Sequence, residues 1–572
     1  MKRIAHTIRI LVSALAFGTG CTAFGAEFHV DIVNGNDNAN GLSQSTAFKT
    51  GLKAWNEVAT ANASQPDPAA ASSLVHVWPS GAAWPSNTLG TANATYSAPL
   101  GTLALIGEGG ASVPLYSMSH LKVGADTNIA STLTFTNIDF TIGSPASARR
   151  FAVIGAVDSN ASVLAATGRV SWAGGSLTLH SGNGNYPVLI GAINTATDAA
   201  VYGELDLSGT AGPCALNLGP SSYLRVGIIQ NVGSEGEAYG LLDLRTPAPW
   251  TLTAYGFECG AGASNGVVSH VSGNILLGSN GTFQVSRYLH IGYNAGCATG
   301  IVTVAAGGKV SFEMKSTSSN NLRVGCNCSI NAYGVLDLSN VTGPVTLAPG
   351  ADIAVGYSGT TSYGILDAGN SADVSVRCNR MWIGNRSTSD AYGRITLGRG
   401  EGTISETLNI GKDAAVTSEN RGLLELNGME LSITGRVSLL RSGAVRVTVD
   451  GKSAGLRLFD GTLSNKLNVD AQSLVAADSG IGITFVSPPP GKKVLDSANG
   501  ADSICWGFKW EGNHVADIET LQASGRLAWD TSALDTQAAA ATRLFHDTDD
   551  DATYIGFYMR DHTPQGTMFI IK

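Results

Sequence analysis

Along the middle of the chain, short apolar–variable–apolar triplets end on a glycine and return at a nearly fixed interval. The clearest copy is Asn321-Leu322-Arg323-Val324-Gly325, followed by Tyr333-Gly334-Val335-Leu336-Asp337-Leu338. The triplet glycine recurs at Gly155, Gly191, Gly227, Gly260, Gly292, Gly325, Gly356, Gly384 and Gly411, so that neighbours differ by 36, 36, 33, 32, 33, 31, 28 and 27 residues. A second glycine follows at Gly168, Gly203, Gly240, Gly266, Gly300, Gly334, Gly364, Gly393 and Gly422. Self-similarity at such a period marks a solenoid or another repeat array.

Immediately before the first glycine stand Ile154, Ile190, Val226, Cys259, Ile291, Val324, Val355, Ile383 and Ile410. Two residues earlier stand Ala152, Val188, Leu224, Phe257, Leu289, Leu322, Ile353, Met381 and Leu408. All of these are apolar. The position between them is mixed: Val153, Leu189, Arg225, Glu258, His290, Arg323, Ala354, Trp382, Asn409. This is the period-two pattern of a strand with one buried face. The second strand repeats it, with Leu205/Leu207, Leu242/Leu244 and Leu336/Leu338 facing in and Asp206, Asp243 and Asp337 facing out. A third apolar patch, such as Val345-Thr346-Leu347 or Val310-Ser311-Phe312, closes many repeats.

Three short strands in about thirty residues, with no helical run between them, fit one coil of a parallel β-helix. One coil cannot bury its inner face alone, but stacked coils share a core. A propeller blade needs roughly 40 residues and four strands, and a leucine-rich repeat needs an asparagine ladder, which the pattern lacks. Helical solenoids need amphipathic runs of about ten or more residues. The expected regular array occupies about 150–450, inside a coil region of 71–450.

Composition agrees. The chain has 71 glycines in 572 residues, nearly double the usual share of about 7%, as turns at every strand end require. Only 14% of residues are charged, and the net charge of −9 argues against nucleic acid as a partner. Residues 1–26 read as a secretion signal: Lys2, Arg3 and Arg9, then the apolar run Ile10–Phe17, then small residues. That run is shorter than the roughly 20 residues a membrane span needs. Gly18-Thr19-Gly20-Cys21 resembles a lipoprotein box with glycine where leucine belongs, which makes anchoring at Cys21 the minor alternative to simple cleavage. The expected location is secreted or cell-surface.

Residues 27–70 form the next unit. Phe28-His29-Val30-Asp31-Ile32-Val33-Asn34-Gly35-Asn36-Asp37-Asn38-Ala39-Asn40-Gly41-Leu42-Ser43, with Thr46-Ala47-Phe48-Lys49-Thr50, resembles the opening segment of secreted bacterial right-handed β-helix proteins of the pectate-lyase-like superfamily. The resemblance covers about 25 residues and implies where a first coil starts, not an activity. Behind it, Phe48, Leu52, Trp55 and Val58 fall on one helix face, suited to covering the open end of a solenoid; Gly51 weakens that helix. The glycine-rich strand repeats are also similar to those of bacterial autotransporter passenger regions. Residues 451–572 change character: Pro488-Pro489-Pro490 breaks any strand, and Trp506, Phe508, Trp510, Trp529 and Tyr558 raise the aromatic density. Leu527-Ala528-Trp529-Asp530-Thr531-Ser532-Ala533-Leu534 resembles the closing segment that follows such repeats in surface-displayed bacterial proteins. Gly566–Lys572 reads as one last strand. The expected fold is therefore all-β: a right-handed parallel β-helix with a short N-terminal helical cap and an aromatic-rich C-terminal β cap.

Two outward columns carry candidate chemistry. On the second strand, Ser171, Asp206, Asp243, Ser269, Thr303, Asp337, Asp367, Thr396 and Glu425 would stack about 4.8 Å apart. Asp206/Asp243 and Asp337/Asp367 are the pairs that a calcium ion or a glycan could bridge, against a plain solvated face, which is favoured. On the first strand, Arg225, His290, Arg323 and Trp382 share a face that could hold an acidic sugar, since Arg matches a carboxylate and Trp stacks on a ring. The pectate-lyase-like resemblance implies an Arg or Lys base beside an acidic calcium cluster, and no single coil supplies that cluster. His546-Asp547-Thr548-Asp549-Asp550-Asp551 has the composition of a calcium loop without its Gly and distal Glu and reads as a solvated acidic turn. Beyond Cys21 there are seven cysteines; Cys259 sits in a core slot, and Cys297 with Cys328 is a disulfide candidate between neighbouring loops. No resident cofactor is expected apart from that calcium. The function expected is a non-catalytic structural or adhesive role with a polysaccharide or surface protein as partner. A polysaccharide lyase or glycoside hydrolase on acidic polysaccharide, and a carbohydrate-binding module, are the alternatives.

Overall fold

The computed structural model describes residues 24–78, 95–109, 112–117, 120–143, 152–160, 162–181, 187–195, 198–230, 235–262, 269–307, 309–384, 390–411, 422–440, 442–469, 480–488 and 490–561. Residues 1–23 of the secretion signal with Cys21, together with Gly266, Pro489 and the run Gly566–Lys572, lie outside these. The structure is 63% strand and 8% helical. The described strands join into a single 37-stranded sheet, with every pairing among the strands from Phe24 to Ser487 parallel. It is an all-β solenoid. Among the described residues no helix is long and apolar enough to cross a membrane.

The period-two pattern becomes burial. Each of the eighteen apolar residues flanking the variable position of the first strand is at most 2% exposed. They pair in register from coil to coil, as in Leu289↔Leu322↔Ile353↔Met381↔Leu408. The third strands add an aromatic ladder, with Phe283 stacked on Phe312 at 4.6 Å between centroids. One continuous core therefore runs through the stack, and no coil owns it.

The repeated glycines set the cross-section. Gly325 has φ +63°, a left-handed conformation that L side chains resist. A Cβ there would lie 1.9 Å from the Tyr363 carbonyl oxygen, and one on Gly334 would lie 2.2 Å from the Gly325 nitrogen. The first and second strands thus touch backbone to backbone at a corner with no room for a side chain. The kink also turns the chain, so that Ile193 and Ile229, just past their glycines, pack with Val201, Ala238 and Val271 of the second strands in a separate small core. Register corrects one assignment: Gly240 pairs with Gly273, and Gly273 with Gly300. The second glycine of that coil is Gly273 and not Gly266, at the same spacing from the first glycine as in the coil before it. Its outward residue is accordingly Leu276, paired with Asp243 and Thr303, and not Ser269.

The N-terminal unit builds as its polar residues dictate. The Asp37 carboxylate accepts from the backbone nitrogens of Lys49 and Thr50 and from the Thr50 hydroxyl. Thr50 then caps helix α1, Gly51–Ala63, by accepting from Lys53 N. The buried face of α1 is Gly51, Ala54, Trp55, Val58 and Asn62. Leu52 sits at its edge, and Phe48 precedes the helix, bridged to Val30. At the other end, parallel pairing continues past residue 450, through Ile481↔Leu527 and Ile483↔Trp529. Antiparallel strands then close the stack: Ala552–Asp561 pairs with Ser503–Glu511, Arg543–Asp547 and Lys492–Leu495.

Loops also staple neighbouring coils. Asp126 Oδ1 accepts from the backbone nitrogens of Asp158, Ser159 and Asn160 in the next coil, and Oδ2 accepts from Lys122 Nζ at 2.7 Å. Burial alone would raise this carboxyl, but Lys122 and the Ser159 donors outweigh it and hold it down to about 2.

Two predictions follow from these contacts. Gly325→Ala should destabilise the protein by on the order of 3 kcal/mol, from left-handed strain plus the carbonyl clash. Gly307→Ala should cost only about 1 kcal/mol, since Gly307 shares the positive φ but has nothing within 4 Å of an added Cβ. Urea midpoints of both variants check this, and equal losses would remove the backbone contact as the cause. Asp126→Ala should cost about 1–3 kcal/mol near neutral pH. Because the folded carboxyl titrates below its ordinary 3.8, that advantage is whole above about pH 4 and fades as pH falls toward 2. Thermal melts between pH 2 and 6 should show the gap between wild type and variant closing at the acid end.

Candidate functional site

Register brings the four expected first-strand residues together. Arg225, Glu258, His290, Arg323, Ala354, Trp382 and Asn409 form one outward column, each residue opposite the next. Glu258 alters its chemistry. It takes Arg225 in an ion pair at 2.6 Å and accepts from the Tyr288 hydroxyl at 3.3 Å. Arg225 also lies over the Tyr223 ring, 4.7 Å from its centroid, and the Tyr223 hydroxyl accepts from Arg287 at 2.7 Å. Sequence reasoning placed Glu258 in the column but missed it as the partner of Arg225, and missed the tyrosines altogether. Tyr223 and Tyr288 stand two positions before Arg225 and His290, hence on the same strand face, which was the available signal.

His290 lies between Tyr288 and Tyr293, at 4.5 and 4.2 Å between ring centroids. Its Nδ1 is shut off from solvent, with no hydrogen-bond partner among the described residues. Burial first, and the neighbouring Arg323 charge second, press its pKa down to about 3. A general acid or base works best with a pKa near the operating pH, so this imidazole is a neutral packing group at pH 7. Arg323 lies 5.7 Å from the Tyr293 ring. Trp382 stands two coils further on, against Tyr357 at 5.3 Å and near Arg380, which makes a two-pronged ion pair with Asp352 at 2.8 and 2.9 Å.

The aspartates of the second-strand column have local partners. Asp206 accepts from the nitrogen and hydroxyl of Ser208, and Asp337 does the same with Ser339. Asp367 accepts from Gly369 N, and Asp243 is gripped by Arg245. Each carboxylate closes the turn that follows its own strand. Among the described residues no group of three His, Cys, Asp or Glu side chains is placed to hold a metal ion.

The acidic run near the C-terminus is not simply solvated. Asp547 is buried, its Oδ1 accepts from the backbone nitrogens of Asp549 and Asp550, and its Oδ2 accepts from the Tyr558 hydroxyl at 2.8 Å. Burial opposes ionisation, but these donors prevail and hold the carboxyl below its usual range. Trp506 and Tyr554 join these aspartates around a cleft of about 310 Å³, and Tyr554 donates to Asp550.

All seven described cysteines are free thiols, so the expected Cys297–Cys328 disulfide is not formed. Cys328 is buried and donates to the Cys326 carbonyl at 3.6 Å, while Cys297 is half-buried in the neighbouring coil. Burial pushes the Cys328 thiol up to about 12. In a Cys21→Ser background at pH 8, a thiol reagent should therefore label Cys297 alone at first. The other six should react only after denaturation, and a second fast thiol in the native protein would contradict this packing.

Comparison of the chain with protein-family models, with curated proteins and with solved structures yields no match.

Proposed function

We propose that this chain is a non-catalytic β-solenoid with a structural or adhesive role, secreted or held at a cell surface. The observation that carries this reading is how the outer charges are used. Arg225–Glu258, Arg380–Asp352 and Arg394–Glu425 each join one coil to the next, at 2.6, 2.8 and 2.6 Å. Arg457 spans three coils, reaching Glu430 at 3.8 Å and Glu511 at 3.0 Å. Singly, such half-exposed pairs contribute about 0–1 kcal/mol. Repeated along a stack whose coils contact only their neighbours, they oppose separation at many junctions at once. The outward first-strand column supports the same reading, because Arg225 is neutralised by Glu258 and burial keeps the His290 ring uncharged near pH 7. Placement outside the cell rests on the basic and apolar N-terminal run.

The test offers the purified chain a panel of acidic and neutral polysaccharides, with and without calcium. The expected outcome is retention on a polysaccharide or on intact cells, without release of unsaturated uronide or new reducing ends. Product release that disappears in Arg323→Ala would overturn the non-catalytic reading and place chemistry on the first-strand face.

A further inference from the structure

One face of the third-strand sheet is cut by a trench a single coil wide. Its cause is legible in three successive third strands. Glu313 pairs with Thr346 and Thr346 with Ser375, while Lys315 pairs with Ala348. Arg377 follows Val376, the partner of Leu347, and so comes to the far side of Ala348. The middle coil thus offers Ala348 between Lys315 and Arg377, with the small Thr346 and Gly350 on either side of it along the strand. Register also breaks just beyond, between Lys315 and Asn320 on one strand pair and between Leu347 and Asp352 on the other. The outcome is a cavity of about 800 Å³ with the small residues as floor and Glu313, Lys315 and Arg377 on its walls.

The cations on those walls are not among those that ion pairs neutralise from coil to coil. Lys315 and Arg377 are both exposed. Among the described residues neither has an ion-pair partner, unlike Arg225, Arg380, Arg394 and Arg457. Glu313 accepts from the Gln284 amide at 3.2 Å and leans toward the preceding coil. In a chain of net charge −9, the trench therefore has a local excess of one positive charge, from two cations against one carboxylate. The backbones carrying the two cations are two coil steps apart, roughly 10 Å, so both side chains can extend over Ala348 to one bound group.

From this geometry we propose that the trench binds a tetrahedral oxyanion ester, sulfate or phosphate, carried on an extended glycan. A carboxylate presents two coplanar oxygens, which one guanidinium fork can satisfy alone. Two cations approaching from opposite walls call for an anion with oxygens in more than one plane. The volume lies toward the upper end of the roughly 300–1,000 Å³ typical of ligand sites, which gives room for sugar rings on either side of the ester. This site lies apart from the first-strand column. It supplies a ligand class for the adhesive reading on which it rests.

The test titrates the full chain with a highly sulfated heparin oligosaccharide, its desulfated counterpart, polygalacturonate and a phosphodiester-linked glycan, by calorimetry at fixed salt. Wild type should bind the sulfated or the phosphodiester glycan at least tenfold more tightly than the other two. The Lys315→Ala/Arg377→Ala double variant should lose at least tenfold, and Ala348→Phe, which fills the floor without changing charge, should lose as much. Lys452→Ala, an exposed cation elsewhere, should bind like wild type. Whichever ester binds more tightly through these residues identifies the source of the anion. Unchanged binding in the double variant, equally tight binding of polygalacturonate, or no binding of either ester would overturn the proposal. If the proposal falls in one of these ways, retention of the wild type on cells or neutral polysaccharide would show adhesion standing without this site, whereas no retention of the wild type on anything offered would remove both.

Discussion

Two strands meeting backbone to backbone is the contact on which the cross-section depends. The inner core of the coil is packed by side chains, which can exchange a methyl for a methyl at modest cost. The corner between first and second strands has no such tolerance, because what meets there is the Gly325 Cα and a carbonyl oxygen. The same contact recurs at Gly191, Gly227, Gly260, Gly292 and Gly356. It fixes the corner between first and second strands coil after coil, and this keeps the inner apolar ladders in register over coils of 27 to 36 residues. Length differences are absorbed in the loops.

This is also why so much of the fold could be read beforehand. A residue confined to glycine by backbone contact, preceded by an apolar–variable–apolar triplet, is a signal that survives divergence everywhere else. The reading failed where the signal was doubled. In the fourth regular coil two glycines compete, and the choice of Gly266 over Gly273 moved the outward position from Leu276 to Ser269. The spacing held the answer: Gly273 follows Gly260 by 13 residues, as Gly240 follows Gly227 and Gly168 follows Gly155. The helix face was misjudged for a related reason. Phe48 and Leu52 fit the periodicity, but the helix starts only at Gly51, where Asp37 and Thr50 cap it.

The outward chemistry was less legible, because pattern gives a residue's face but not its partner. Arg225 and His290 could be placed on one outward face, yet what they can do follows from Glu258, which stands between them, and from Tyr288 and Tyr293. In an in-register stack, a side chain's nearest polar neighbour is about thirty residues away in sequence and about 4.8 Å away in space. Outward positions are therefore read best down the column. Read that way, Arg–Glu and Arg–Asp neighbours cancel, and Lys315 and Arg377, separated by an alanine, do not.

The two ends of the stack have a consequence of another kind. A parallel stack is a one-dimensional crystal whose terminal rungs present unpaired amides and carbonyls, and each such end is a template for another chain. Helix α1 covers one end, and the antiparallel strands around Ala552–Asp561 turn the other away from parallel growth. These elements act as chain terminators for an assembly the repeats would otherwise propagate. A fragment cut between coils would keep nearly all of its internal contacts and lose only this stop, so its failure would be fibre growth and not unfolding.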